Sequence, residues 1–152
     1  MIILDNVITD RGSKYAVSGG PCHSTDGART FLADLKRNKR FAKATHNSWG
    51  LICGGQMIKN DDGEAGAGIV ILRMLEREGL SDHIVVVTRW FGGKHLGGDR
   101  FRHVQEAVRT YIKALSRAND TESTCPGPCR RPASTLSEPC GIQPAKQGLR
   151  RN

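Results

Sequence analysis

The chain has 152 residues, of which 38% are hydrophobic and 25% are charged, and this composition indicates one ordinary globular domain rather than two. Its formal net charge of +8 favours an anionic partner, such as nucleic acid, the ribosome or an acidic protein surface. No apolar run approaches the roughly 20 residues that span a bilayer, and the chain does not start like a signal peptide, so we expect a cytoplasmic protein without membrane contact.

The first half of the chain predicts two strands with a helix between them. Residues 13–18 and 46–53 have the composition of strands. Ser24 or Thr25 caps the helix. The apolar residues of this helix recur at helical spacing: Ala28, Phe31, Leu32 and Leu35. The polar stretch 54–60, which begins with two glycines, predicts a turn after the second strand.

The second half predicts a helix, a buried strand and a final helix. The first of these helices covers residues 62–78, because Asp61 and Glu64 have capping-box spacing and Gly79 suits its end. The apolar run 84–87 is typical of a central strand. The final helix has one apolar face, and His103 and the basic residues belong to its exposed face: Arg102, Arg109, Lys113 and Arg117.

Strands that alternate with three helices predict an α/β-class fold, more specifically an α+β two-layer sandwich with helices packed on one small sheet. Beyond Asn119, five of the six prolines fall among small and polar residues, so we predict a folded domain over residues 1–118 and a disordered basic tail over residues 119–152. The five cysteines are odd in number and lack paired spacing, which predicts reduced thiols and no zinc or other metal site.

Residues 89–100 form a glycine-rich loop between the buried strand and the final helix. This loop combines cationic, aromatic and glycine residues to which an anion or a partner could bind: Arg89, Trp90, Phe91, Gly92, Gly93, Lys94, His95 and Arg100. With Arg102, Arg109 and Lys113 they make up the predicted contact surface. The alternative interpretation is structural, since Trp90 and Phe91 could cover the sheet edge while Asp99 caps the helix. No Gly-x-Gly-x-x-Gly or Walker pattern occurs, so we expect no cofactor.

A second group of polar residues, 61–64, offers clustered carboxylates. Asp61, Asp62 and Glu64, with Gly63 among them, could bind a hard cation or act as a general base, and His46 could approach from a neighbouring strand. The same acids also suit the start of the helix that follows. We favour this capping role and assign no catalytic residue and no metal ligand.

Residues 89–97 resemble the signature of the YigZ/IMPACT family, in which an arginine, two aromatic residues and two glycines precede an aliphatic residue and a further glycine. The resemblance covers about residues 11–117 and is nearer to the eukaryotic IMPACT branch than to the bacterial one. It implies the fold of the second domain of small-subunit ribosomal protein five. The matching motif residues outside the loop have no assigned role: His46, Asp61, Asp62, Gly63, Glu64 and Asp99.

The resemblance also implies a non-catalytic role in regulating translational initiation, because eukaryotic members restrain the general amino-acid control kinase. Those members contact the activator of the kinase through a preceding RWD domain, and we expect no such contact here because nothing precedes Met1 in this chain. The domain that is present is associated in the family with actin binding. The implied partners are therefore actin or translation-control components.

These observations support three functional hypotheses. The leading one is a cytoplasmic regulatory binding protein, not an enzyme, that uses residues 89–100 and the basic face of the final helix. The second is an RNA-binding or ribosome-binding protein that uses the same surface on phosphates and loses affinity steeply with salt. The third is a metal-dependent hydrolase that uses Asp61, Asp62, Glu64 and His46.

Overall fold

The computed structural model describes residues 1–122 of the chain and the side chains of residues 1–119. The strands are β1 (Ile2–Asp10), β2 (Ser13–Pro21), β3 (His46–Cys53), β4 (Gln56–Asn60) and β5 (His83–Trp90). The helices are α1 (Thr25–Lys36), α2 (Lys39–Ala42), α3 (Ala67–Arg77) and α4 (Asp99–Glu122). The strands form one sheet in the order β1-β2-β5-β3-β4, and every neighbouring pair is antiparallel.

Both faces of this sheet are covered by helices, because successive residues of a strand point to opposite sides. On β5, Val85 and Val87 pack with buried residues of α3 and α4, whereas Ile84 and Val86 pack with those of α1 and α2. The α+β fold with helices on a small sheet is thus confirmed. The helices of the second face add a layer to the predicted two-layer arrangement.

The sequence predicted the three inner strands but not the two edge strands. β3 has the predicted bounds, and β2 and β5 extend the predicted segments at 13–18 and 84–87. The turn predicted at 54–60 is wrong beyond its first two residues, because only Gly54 and Gly55 make the turn, both with positive φ, and β4 follows. β4 is short and polar, as edge strands often are, and so lacks the apolar pattern that reveals a buried strand.

The helix predicted at 62–78 starts later than expected, at Ala67. Gly66 has a left-handed conformation, with a φ of 90°, and separates the acidic segment from α3. The end of this helix is as predicted, since Gly79 follows it with a φ of 69°. Of the two residues predicted to cap α1, the structure selects Ser24, because its side chain accepts a hydrogen bond from the Gly27 amide, whereas Thr25 is the first residue of the helix.

Residues 1–115 form one compact unit, and the residues from Ser116 onward belong to a second unit of which the structure describes only the end of α4. α4 continues to Glu122, past the predicted domain boundary. The rest of the predicted tail, 123–152, lies outside the described residues, and so do three of the cysteines. Cys22 and Cys53 are buried free thiols. Within residues 1–122, no helix is both long and apolar enough to cross a membrane.

Candidate binding site

The segment 91–98, here called the glycine loop, connects β5 to α4 and is held from two sides. The Phe91 amide donates to the Thr45 hydroxyl oxygen at 2.9 Å, and the Gly92 amide donates to the Ser13 hydroxyl oxygen at 3.1 Å. Gly92 also lies directly against the backbone of Gly12, so a side chain at position 92 would clash with it. The loop is therefore fixed by the turn between β1 and β2 and by the residues that precede β3.

Arg89 lies inside the molecule instead of offering a free charge at the surface. It is 5% exposed, and its Nη1 donates to Oε1 of Glu64 at 2.5 Å, where Glu64 is 2% exposed. Cross-strand pairing places Tyr15 and His46 beside Arg89 on the neighbouring strands. Burial first, and the Glu64 charge second, raise the pKa of Tyr15 to about 12. The helix-capping role expected of Glu64 is wrong, because its carboxylate neutralises a buried guanidinium.

Asp61 is the residue of the acidic segment that stabilises the start of α3. Its carboxylate accepts hydrogen bonds from the amides of Gly66 and Gly68, at 3.2 and 2.7 Å. Partial burial raises the pKa of Asp61, but these two bonds and the contact with Lys59 outweigh it, so the pKa lies below its ordinary value. The predicted capping box is wrong, because the N-cap of α3 is Gly66 and not Asp61, but the Asp61 carboxylate still accepts from amides at the start of the helix.

The other acidic and histidine residues of this segment have separate structural contacts. Asp62 Oδ2 accepts from the backbone amide of Asn47 at 2.7 Å. His46 Nδ1 donates to the backbone carbonyl oxygen of Asp62 at 2.8 Å. Gly63 lies against the His46 ring, with little room for a side chain. Within residues 1–119 no three His, Cys, Asp or Glu side chains are grouped so that they could hold a metal ion. The hydrolase hypothesis therefore finds no support in this geometry.

One open cleft, here called the Trp90 cleft, has a volume of about 420 Å³. Its lining combines basic and aromatic residues with one glycine: Gly12, Lys14, Arg40, Lys43, Trp90 and Phe91. The Trp90 Nε1 donates to the Arg40 carbonyl oxygen at 3.0 Å, and the Arg40 guanidinium lies 4.4 Å from the centre of the Trp90 ring. Arg40 also forms an ion pair with Asp5. Trp90 is thus held in place, while Phe91 is 43% exposed at the rim.

A second cleft, here called the Arg100 cleft, has a volume of about 290 Å³ and shares Phe91 with the first. The residues that line it come from the start of β3, the end of β5 and the glycine loop with the start of α4: Thr45, His46, Arg89, Phe91, His95 and Arg100. The structure thereby brings His46, which the sequence analysis grouped with the acidic residues 61–64, together with four residues of the predicted glycine-rich loop 89–100.

The predicted basic face of α4 lines neither cleft. Arg102 pairs with Asp99 at 3.1 Å and Arg109 pairs with Glu106 at 3.0 Å, and both pairs are exposed, so each contributes little to stability. Lys113 is exposed as well. Asp99 is the first residue of α4, and its carboxylate also pairs with Arg11 at 3.1 Å.

Two differences from the sequence prediction concern residues around these clefts. His103 is not on an exposed face, because its side chain is 12% exposed and its Nε2 lies 2.8 Å from Asp10 Oδ2. This hydrogen bond is the main cause that holds the pKa of Asp10 below its ordinary value. The basic residues Lys14, Arg40 and Lys43 were absent from the predicted site. In the sequence these three residues stand out only because they lie in or near basic segments. That position does not reveal that they lie close to Trp90 in the fold.

Comparison with known proteins gives a family and several relatives. The sequence model of the family described as Impact N-terminal domain matches residues 11–112. Protein IMPACT of Rattus norvegicus is 34% identical over 123 residues, which are 77% of this chain and 39% of the rat protein. The IMPACT homolog of Schizosaccharomyces pombe is 38% identical over 110 residues, which are 69% of this chain and 39% of that protein. The chain thus spans about two fifths of the length of these relatives.

Two solved structures are also similar to this chain. A crystal structure described as a hypothetical protein has a TM-score of 0.64 and 21% identity, and the match covers 73% of this chain and 57% of the other. This likeness concerns the fold alone, which it supports. A chain described as the two-domain translational regulator Yih1 is 35% identical over 73% of this chain and 44% of its own length, with a TM-score of 0.43.

Proposed function

Because the chain belongs to the Impact N-terminal domain family, we propose that it is a non-catalytic, cytoplasmic binding domain that helps to regulate translational initiation within the general amino-acid control stress response. The family match over residues 11–112 supports this proposal. The Yih1 chain, which is 35% identical, is described as a translational regulator, and this description connects the family with translation. The names of the relatives above are not those of enzymes.

The observation that carries the proposal is the combination of aromatic and cationic groups at the Trp90 cleft. Phe91 is exposed at its rim, and Lys14 and Lys43 form no ion pair within residues 1–119. Exposed aromatic side chains beside charged ones are typical of protein interfaces, in which aromatic and arginine side chains supply much of the binding energy. We therefore propose an acidic protein surface as the partner, with monomeric actin or a translation-control component as the candidates that the family resemblance suggests.

RNA is the second candidate partner, because the same lysines could bind phosphates. Sequence-tolerant RNA binding also needs aromatic faces on which bases stack. The Trp90 ring is already covered by Arg40 and has the Phe41 ring at its edge, 5.4 Å away between centroids. Within residues 1–119 Phe91, at 43%, is the most exposed of the Phe, Tyr and Trp residues. This arrangement favours a protein partner over RNA.

A charge reversal at the rim of the Trp90 cleft tests the proposal. The full chain and its Lys14→Glu/Lys43→Glu variant are titrated with monomeric actin and, separately, with a mixed RNA pool at several salt concentrations. We expect saturable actin binding that weakens at least tenfold in the variant, because two attractive charges become repulsive; this corresponds to about 1.4 kcal/mol. Phe91→Ala, which removes the exposed apolar contact, is expected to weaken binding by a similar factor.

The matched control is Arg29→Glu/Arg73→Glu, which makes the same change in net charge at exposed positions on α1 and α3. This control should bind like the unmodified chain. Equal affinity of the control and of the Lys14/Lys43 variant would refute the assigned surface. Tight RNA binding that collapses with salt, together with negligible actin binding, would instead support the RNA hypothesis.

A further inference from the structure

The Arg100 cleft is lined by hydrogen-bond donors and by no carboxylate. Two arginines, two histidines and a threonine surround it, with Phe91 at one side. The charge of Arg89 is balanced by Glu64, but Arg100 forms no ion pair within residues 1–119. The cleft therefore contains at least one positive charge that the described part of the chain does not neutralise.

Two buried nitrogen atoms of this cleft have no acceptor. Within residues 1–119 only four side-chain polar atoms are buried without a hydrogen-bond partner, and Arg89 Nε and Arg100 Nε are two of them. Arg89 is nearly fully buried, so solvent cannot easily replace the missing acceptor. Buried donors are rarely left unpaired, because each one costs stability until an acceptor reaches it. Both arginines also line the Arg100 cleft, so an acceptor that enters the cleft reaches the same two guanidinium groups whose hydrogen bonding is incomplete.

One further side chain at the cleft has a hydrogen available for a ligand. The Thr45 hydroxyl oxygen accepts from the Phe91 amide, so its own hydrogen can be donated elsewhere. The Nδ1 hydrogen of His46, in contrast, is already donated to the Asp62 carbonyl oxygen.

From these donors we propose that the Arg100 cleft binds one phosphomonoester group, either as inorganic phosphate or as a phosphorylated serine or threonine side chain of a partner. Donors from separate side chains match the tetrahedral oxygens of a phosphate better than the two coplanar oxygens of a carboxylate. Lys14 and Lys43 line the Trp90 cleft and not the Arg100 cleft. The proposed phosphate site therefore does not depend on the proposed function.

The test follows the Nε–H signals of the arginine side chains by nuclear magnetic resonance in the full chain. Inorganic phosphate and a blocked Ala-phosphoserine-Ala tripeptide are the two probes. We expect at least one probe to shift the Arg89 and Arg100 signals saturably, and Arg100→Gln to raise the apparent Kd at least tenfold. Tighter binding of the tripeptide would identify a phosphorylated partner as the source, and equal binding would identify free phosphate.

The control variant is Arg73→Gln, which removes an exposed arginine on α3 and should leave phosphate binding unchanged. The proposal fails if neither probe shifts the Arg100 signal, a result that does not depend on any variant folding. It also fails if sulfate and a blocked Ala-Asp-Ala tripeptide bind as tightly, or if RNA without terminal phosphates competes equally well. Phosphate binding that persists in the Lys14→Glu/Lys43→Glu variant would show that this site and the proposed partner surface are separate.

Discussion

Arg89 on β5 and Glu64 in the segment before α3 form a buried ion pair. Taking both charges out of water is costly, so the pair itself adds little net stability, but leaving one charge without the other is strongly unfavourable. The Arg89 guanidinium also lies 5.8 Å from the centre of the Tyr15 ring and 5.7 Å from that of Phe91. At the residue scale, Arg89 joins the sheet to the segment before α3, and loss of either partner should affect folding before it affects binding.

We predict that Arg89→Met lowers the free energy of unfolding by about 3–5 kcal/mol, because it leaves the Glu64 carboxylate buried without a counter-charge. The double variant Arg89→Met/Glu64→Leu should recover much of this loss, since both charges are then removed. Urea unfolding followed by tryptophan fluorescence measures all the terms of this double-mutant cycle. A double variant that is as unstable as the sum of the two single variants would show that the pair does not couple.

At the scale of a single element, the start of α3 depends on hydrogen bonds to a side chain outside the helix as well as on the residues of the helix itself. Gly66 and Gly68 would leave amide hydrogens unsatisfied at the helix start, and the Asp61 carboxylate accepts from both. The apolar residues Ile71 and Leu75 of the same helix are fully buried against the sheet. Asp61 therefore stabilises the start of α3, whereas packing determines which face the helix buries.

We predict that Asp61→Ala lowers the free energy of unfolding by about 1–2 kcal/mol near neutral pH, as loss of a helix cap does. The pKa of Asp61 is lowered in the folded chain, so the stability that it contributes is present above its unfolded pKa, near 3.8, and is lost as the pH falls through the folded value. The difference between the two proteins should therefore shrink below pH 3.8, measured by urea unfolding at several pH values. Asp34→Ala, at an exposed position on α1, is the control. A difference that stays constant down to strongly acidic pH would contradict this account.

At the scale of the whole molecule, the glycine loop is positioned by a segment that is distant in the chain. Gly92 lies against the backbone of Gly12, in the turn between β1 and β2, and of Ser13, the first residue of β2, and its amide donates to the Ser13 hydroxyl oxygen. Both clefts share Phe91, which immediately precedes Gly92. The close approach of these two loops therefore sets the geometry of the candidate binding surface.

We predict that Gly92→Ala lowers the free energy of unfolding by about 1–3 kcal/mol, because the added methyl group meets backbone atoms that cannot rotate away. Gly98→Ala is the matched control in the same loop, since a methyl group there has no atom within 4 Å and should change the free energy by less than about 0.5 kcal/mol. Thermal and urea unfolding of the two variants measure the difference. Equal stability of the two variants would mean that the loops do not need this close contact.

Local patterns in the sequence predicted a large part of this fold. The strand at 46–53, the cap at Ser24 and the end of α3 at Gly79 match the structure. Each depends on residues within a few positions of one another, so composition and spacing are enough to reveal it. The edge strands were missed, because β1 has a bulge near Asn6 and β4 is polar, and neither has an uninterrupted apolar pattern.

The sequence alone determined the α+β class, the family and the residues of the two motifs, because these follow from local spacing and from a specific signature. Only the tertiary structure decided what those residues do. Arg89 is buried in an ion pair with Glu64, and the His103 side chain contacts Asp10. The two lysines beside Trp90 come from β2 and from the segment after α2. Burial and charge pairing depend on neighbours contributed by distant segments, and no spacing within one segment can encode them.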